Sequence, residues 1–167
     1  GSLENGKEPK GLGRMRNYHP PPRDNVPLRI PESQDTAFTY LKGRGISEEV
    51  QRAHRIFISN SKELAFPYLR DGVAYNCKYR GKGKKFRVEA KKDLFLWNED
   101  ALKTAKTVCI TEGEIDALSF IEAGFLNTVS LPNGGSETGM NLDFLQWVEK
   151  EIQGVDEFVI ATDGDKV

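Results

Sequence analysis

The chain is poor in metal-binding sulfur and imidazole. Two cysteines, Cys77 and Cys109, and two histidines, His19 and His54, occur in 167 residues. No C-x-x-C pair is present and neither histidine stands at a ligand spacing, so this sequence contains no structural zinc site. The cysteines fall in separate strand-like runs and read as small buried hydrophobes rather than as a disulfide. Apolar runs stop well short of the ~18 residues that a membrane helix needs. The G-x-x-x-x-G-K-[ST] phosphate loop is missing, which excludes a P-loop helicase motor from these residues. Basic residues are scarce in the second half. Residues 106–167 hold 3 Lys/Arg against 12 Asp/Glu, while residues 1–105 hold 21 against 13. The net charge of −1 therefore hides a basic half joined to an acidic half. Such a chain suits a module that grips a polyanion with one part and holds cations with the other.

What is present divides into three stretches. Residues 1–31 are Pro-rich and basic without apolar periodicity, and read as a flexible linker that starts with a Gly1-Ser2 tag remnant. Residues 32–105 predict an α+β unit. Ser33 caps a helix through Phe38, Tyr40 and Leu41 that Gly43 and Gly45 end, and Ser47 caps a second from Glu48 to His54. Strand signals follow at Arg55–Ile58, Leu64–Leu69, Val73–Arg80 and Lys85–Glu89, with an Asp71-Gly72 hairpin turn. Pro67 points to an edge or a bulge. Residues 94–97 read as a core segment or short strand. Residues 106–167 alternate strand (Thr107–Thr111), helix (Glu114–Glu122), strand (Thr128–Leu131), helix (Asn141–Ile152) and strand (Glu157–Thr162). That alternation predicts an α/β unit with a parallel sheet.

Two of those strands end in carboxylates. Thr107–Thr111 runs into Glu112-Gly113-Glu114-Ile115-Asp116, and Glu157–Thr162 into Asp163-Gly164-Asp165. The carboxyl edge of a parallel sheet is where open α/β folds bind ligands. Glu112, Asp163 and Asp165 gathered there would repel one another without a cation, and hard oxygen donors suit Mg²⁺ or Mn²⁺. Gly113 is expected to let the backbone turn sharply, Asp116 to be a further ligand or a helix-start residue, and Glu114 only a helix-start residue. Across residues 76–92 there are eight basic residues and one acidic residue. Lys78 and Arg80 share a strand face opposite Cys77 and Tyr79, and Lys84, Lys85 and Arg87 follow. All five are candidates for phosphate contacts. Tyr75, Tyr79 and Phe86 stand between core packing and base stacking. The loop 132–136, Pro-Asn-Gly-Gly-Ser, offers backbone N–H groups at the same sheet edge.

Glu112-Gly113-x-x-Asp116 followed by Asp163-Gly164-Asp165 resembles the signature of the Toprim domain. With Tyr75–Arg80 and Lys84-Lys85-Phe86 before it, the sequence resembles the primase half of phage and organellar, Twinkle-like primase–helicases from about residue 33 to 167. The resemblance implies a basic primase subdomain over 32–105 and a partial Toprim domain over 106–167, cut short at its C-terminus. It implies DNA-dependent RNA primer synthesis on a single-stranded DNA template from ribonucleoside triphosphates with Mg²⁺ or Mn²⁺. Glu112 would be the catalytic acid/base, Asp163, Asp165 and Asp116 the metal ligands, and Lys78, Arg80, Lys84, Lys85 and Arg87 the phosphate-binding set. A zinc-binding module and a helicase domain are the partners expected outside these residues, and a bacterial or phage-infected cytoplasm the setting, without a membrane. The rival readings are a Toprim nuclease or topoisomerase fragment and a non-catalytic DNA-binding adaptor to a helicase.

Overall fold

The computed structural model describes residues 26–31, 38–89, 95–132, 148 and 151–162, apart from the Lys84 side chain. Two short helices, α1 (Phe38–Lys42) and α2 (Glu48–Ala53), lead into four strands, β1 (Phe57–Ile58), β2 (Leu64–Arg70), β3 (Val73–Arg80) and β4 (Phe86–Val88). They pair antiparallel in the order β1-β2-β3-β4. The β2–β3 hairpin closes on Asp71 and Gly72, both with positive φ. That geometry belongs to the two-residue turn whose twist matches the strands. The Asp100 carboxylate caps the tip by accepting from the backbone N–H groups of Asp71 (2.8 Å) and Gly72 (2.9 Å). Pro67 pairs in regular register with Cys77 of β3 and lies past the end of β1, one residue before the register shift at Tyr68/Leu69, so its place is a stretch of an interior strand left unpaired on the β1 side.

The second half supplies β5 (Thr107–Thr111), α3 (Glu114–Glu122), β6 (Thr128–Ser130) and β7 (Glu157–Ala161). These strands are parallel in the order β6-β5-β7. β5 is central, with the α3 crossover leading to one side and β7 on the other. That arrangement makes the β5/β7 boundary a topological switch point, where a crevice opens at the strands' carboxyl ends. Residues 95–97 run antiparallel beside β6 through the Trp97–Ser130 bridge. Of the helix predicted over Asn141–Ile152, only Val148, which is buried, and a 3₁₀ turn at Glu151–Gly154 fall among the described residues. The start of the first predicted helix at Ser33 also lies outside them. Among the described residues no helix is long and apolar enough to cross a membrane.

One hydrophobic core ties the halves together. Ile115, Ala117, Leu118 and Ile121 of α3 pack with Phe66 and Tyr68 of β2, with Leu41, Ile46 and Ile56 of the helical hairpin, and with Phe95 and Trp97. A second cluster, Leu96, Leu102, Ala105, Val108, Val129 and Val148, lies against the parallel sheet. Cys77 and Cys109 are both buried and unpaired, and burial pushes the Cys77 thiol up to about 12. A thiol so placed is inert at neutral pH.

The α2 cap also bridges the halves. Ser47 accepts from Val50 N–H, and its own N–H and hydroxyl both donate to Glu122 of α3 at 2.8 Å. Ser47→Ala is expected to cost about 1 kcal/mol in urea denaturation at pH 7. The same donors hold the Glu122 carboxyl below its ordinary range. A lowered folded value means the contact stabilises above the unfolded value and fades as the pH falls through the folded one. The deficit of Ser47→Ala is therefore expected to shrink on titration from neutral pH into acid. An unchanged deficit would assign its cost to the α2 cap alone.

Candidate functional site

Between the two halves lies a cleft of ≈ 640 Å³. One wall is the inward face of the antiparallel sheet. Lys78 pairs with Val88 and Arg80 with Phe86, so these side chains project to one side, together with Phe66. Tyr79 pairs with Arg87 on the other side, where it packs on Phe57. The opposite wall is the exit of β5 and the first turn of α3, carrying Glu112, Glu114 and Asp116. A smaller cleft of ≈ 190 Å³, lined by Glu112, Asp116, Phe120, Ala161 and Thr162, continues across the β5/β7 switch point. Glu112 and Asp116 face both.

The exit of β5 is fixed from beneath. The buried Thr111 hydroxyl lies within hydrogen-bond distance of the carbonyls of Gly113 (3.1 Å) and Val129 (3.3 Å), and Gly113 O accepts the first helical bond from Ala117 N–H (3.0 Å). Gly113 itself is extended, with φ −132°, a conformation open to any residue. An added Cβ would stand 3.1 Å from Asp116 Oδ2, so a larger residue there would press on the Asp116 carboxylate. The expected sharp turn is thus replaced by a close approach that keeps Asp116 folded over the strand end.

Glu114, read from the sequence as a simple helix-start residue, is buried at the cleft floor. Its Oε1 accepts hydrogen bonds from Tyr68 OH and from Lys78 Nζ (2.9 Å), and Lys78 Nζ also donates to Pro132 O (3.0 Å). Burial, and then the charge of Glu114, push the Tyr68 phenol well above its ordinary range, so it stays a donor. Two of the three Lys78 ammonium protons are thereby directed to protein oxygens. Arg80 and Arg44, the latter from the Gly43–Gly45 turn, add charge to the same cleft. Arg87 also borders it, but its guanidinium is held by Glu63 (3.0 Å from Nε to Oε1 and 2.5 Å from Nη2 to Oε2) and lies 3.8 Å over the Tyr79 ring. The hydrogen bond from Arg87 in turn holds the Glu63 carboxyl low. Lys85 is exposed and is not among the residues lining the cleft. Asp163, Asp165, the Lys84 side chain and residues 133–136 lie outside the described residues. Among those that are described, no three His, Cys, Asp or Glu side chains gather as a metal site.

Arg44 and Glu114 are the cleft residues that sequence reasoning passed over. Arg44 gives no signal beyond a charge in a glycine turn. Glu114 gives none until Lys78, 36 residues earlier, is placed beside it.

Comparison with known proteins accords with this layout. Residues 109–167 match a family model described as Toprim-like. Over 140 residues, 75% of this chain, the sequence is 34% identical to the Arabidopsis thaliana Twinkle homolog protein, chloroplastic/mitochondrial, and 31% identical to the Arabidopsis thaliana Primase homolog protein. Over most of its length the chain is thus similar to Twinkle-like Toprim proteins. Its matched residues span 20% of the Twinkle homolog and 42% of the primase homolog. The Toprim-like match begins midway along β5 and takes in α3, β6 and β7. The fold is similar to that of the primase fragment of the bacteriophage T7 primase-helicase protein, with a TM-score of 0.63 at 23% identity over 75% of this chain and 53% of that one.

Proposed function

We propose that this chain carries the nucleotidyl-transfer centre of a DNA primase, which adds ribonucleotides to a growing RNA on a single-stranded DNA template. The observation that carries the reading is the cleft itself, with Arg44, Lys78 and Arg80 on one wall and Glu112 and Asp116 on the other. Cations line the path of a phosphate chain, and carboxylates stand at the carboxyl edge of a parallel sheet. In the reaction the RNA 3′-oxygen forms a bond to the α-phosphorus of the incoming nucleotide as the bond to the β-phosphate bridging oxygen breaks and pyrophosphate leaves. Glu112 takes the 3′-hydroxyl proton. Arg80 and Lys78 orient the phosphates, and Lys85 and Arg87 add positive charge on the same sheet and the loop before it.

The donor set fits a hard divalent cation. Glu112 and Asp116 present carboxylate oxygens to both clefts, and Asp163 follows directly in sequence on Thr162, which lines the smaller one. Asp116, Asp163 and Asp165 would hold Mg²⁺ or Mn²⁺, which supplies charge neutralisation for the triphosphate. The names of the relatives, a primase homolog and the primase fragment of a primase-helicase, support the same assignment. A zinc-binding module and a helicase are the partners that such a centre would work beside, in the expected bacterial or phage-infected cytoplasm.

The test is extension of a short RNA annealed to a DNA template, which bypasses initiation. With Mg²⁺ and ribonucleoside triphosphates the chain is expected to add nucleotides and to leave supercoiled plasmid intact. Nicking of the plasmid without extension would assign the centre to a Toprim nuclease instead.

A further inference from the structure

Two exposed aromatic rings flank Arg80, Phe86 lining the cleft and Tyr40 beside that arginine. Phe86 on β4 is 53% exposed and Tyr40 on α1 is 48% exposed. Neither is spent on the core. Arg80 lies between them, its guanidinium carbon 5.7 Å from the Phe86 ring centre and 5.8 Å from that of Tyr40. The Lys78 ammonium is 5.2 Å from the Phe86 centre. The other strand aromatics are engaged elsewhere. Tyr79 packs on Phe57 and donates to Glu89 (2.5 Å), and Tyr75 packs against the main core.

We infer that Phe86, Arg80 and Tyr40 form a stacking platform for unpaired bases of a single DNA strand and guide that strand into the cleft. The inference rests on the reading of the cleft as a nucleic-acid site. Three features support it. Phe86 lines the cleft on the same sheet face as Lys78 and Arg80, so its exposed ring stands among the cations that would meet a nucleic-acid strand. Aromatic faces alternating with a guanidinium offer successive π-surfaces, which unpaired bases use and a duplex keeps hidden. The cations beside the rings complement the phosphates that link one base to the next, whereas the acidic wall across the cleft would repel a strand lying there. The platform is blind to sequence, since every base has a face to stack.

The experiment compares fluorescence anisotropy of a labelled oligo(dT) with that of an abasic oligonucleotide of equal length and charge. The wild-type chain is expected to bind the first more tightly. Phe86→Ala and Tyr40→Ala are each expected to weaken oligo(dT) binding roughly five- to a hundredfold. They should leave abasic binding and the slope of log K against log salt unchanged. Arg80→Ala should flatten that slope by about 0.7. Phe86→Trp should restore binding. Both rings are exposed, and far-UV circular dichroism verifies that the variants fold. Equal losses on both oligonucleotides would overturn the platform. So would variants that keep oligo(dT) affinity while ribonucleoside triphosphates compete less well, which would put the rings under the incoming nucleotide. Failure of the wild-type chain to bind either oligonucleotide would sink the cleft reading along with the platform, while binding without base dependence would sink the platform alone.

Discussion

Glu112→Gln is expected to lower nucleotide addition to a primed template by about 10²- to 10⁴-fold, the scale of a lost general base. The amide keeps the size of the carboxylate and its place between the two clefts, yet accepts no proton. Binding of oligo(dT) should stay within about twofold of wild type, because the cations and rings of the opposite wall are untouched. The separation matters. A residue that only shaped the strand end would lose binding and rate together, and the Thr111 hydroxyl already performs that shaping from below. Single-turnover extension at saturating nucleotide reads the chemical step. A variant that retained a third or more of the wild-type rate would remove Glu112 from the chemistry and leave Asp116 as the remaining described carboxylate common to both clefts.

Lys78→Met is expected to destabilise the chain by about 3–5 kcal/mol, a large part of the ~5–15 kcal/mol that holds a domain folded. The substitution leaves the buried Glu114 carboxylate with the Tyr68 hydroxyl as donor and without the Lys78 charge that balances it. Glu114→Gln strands the ammonium in the same way and should cost a similar amount. The double variant Lys78→Met/Glu114→Gln removes both charges while the Gln carbonyl still accepts from Tyr68, so most of the stability should return. Nucleotide addition should not return with it. Urea denaturation of the four proteins closes a double-mutant cycle. A loss below about 1 kcal/mol in the single variants would mean that the pair is solvated and that Lys78 is free to meet phosphate unaided.

The local grammar of the chain was legible. Asp71-Gly72 between two alternating runs specifies its hairpin, and Ser47 ahead of Glu48-Glu49 specifies its cap. Strand and helix meeting at Glu112-Gly113 were readable because their periodicities differ. The pairing of β5 with β7, with Thr111 beside Ala161, follows the expectation that the two acidic strand ends are neighbours. Relations across space were not legible. Nothing near Glu114 announces a lysine 36 residues away, and Arg87 gives no hint that Glu63 holds it. Phe86 illustrates the limit from the other side. Its strand alternation suits core packing, yet the face it shares with Lys78 and Arg80 lines the cleft and leaves the ring in solvent. At Gly113 the expected turn is absent, and the close approach of the Asp116 carboxylate three residues later is invisible to a rule about backbone angles.

The shared core beneath the cleft bears on how substrate enters. α3 carries Glu114 and Asp116 on its first turn and buries Ile115, Leu118 and Ile121 against the sheet that carries Lys78 and Arg80. The jaws are therefore rooted in one piece of hydrophobic packing. Spreading them would expose that packing to water, so domain closure of the hinged kind is denied to this site. Whatever the cleft admits must therefore fit walls whose spacing is held by the same packing that keeps the chain folded.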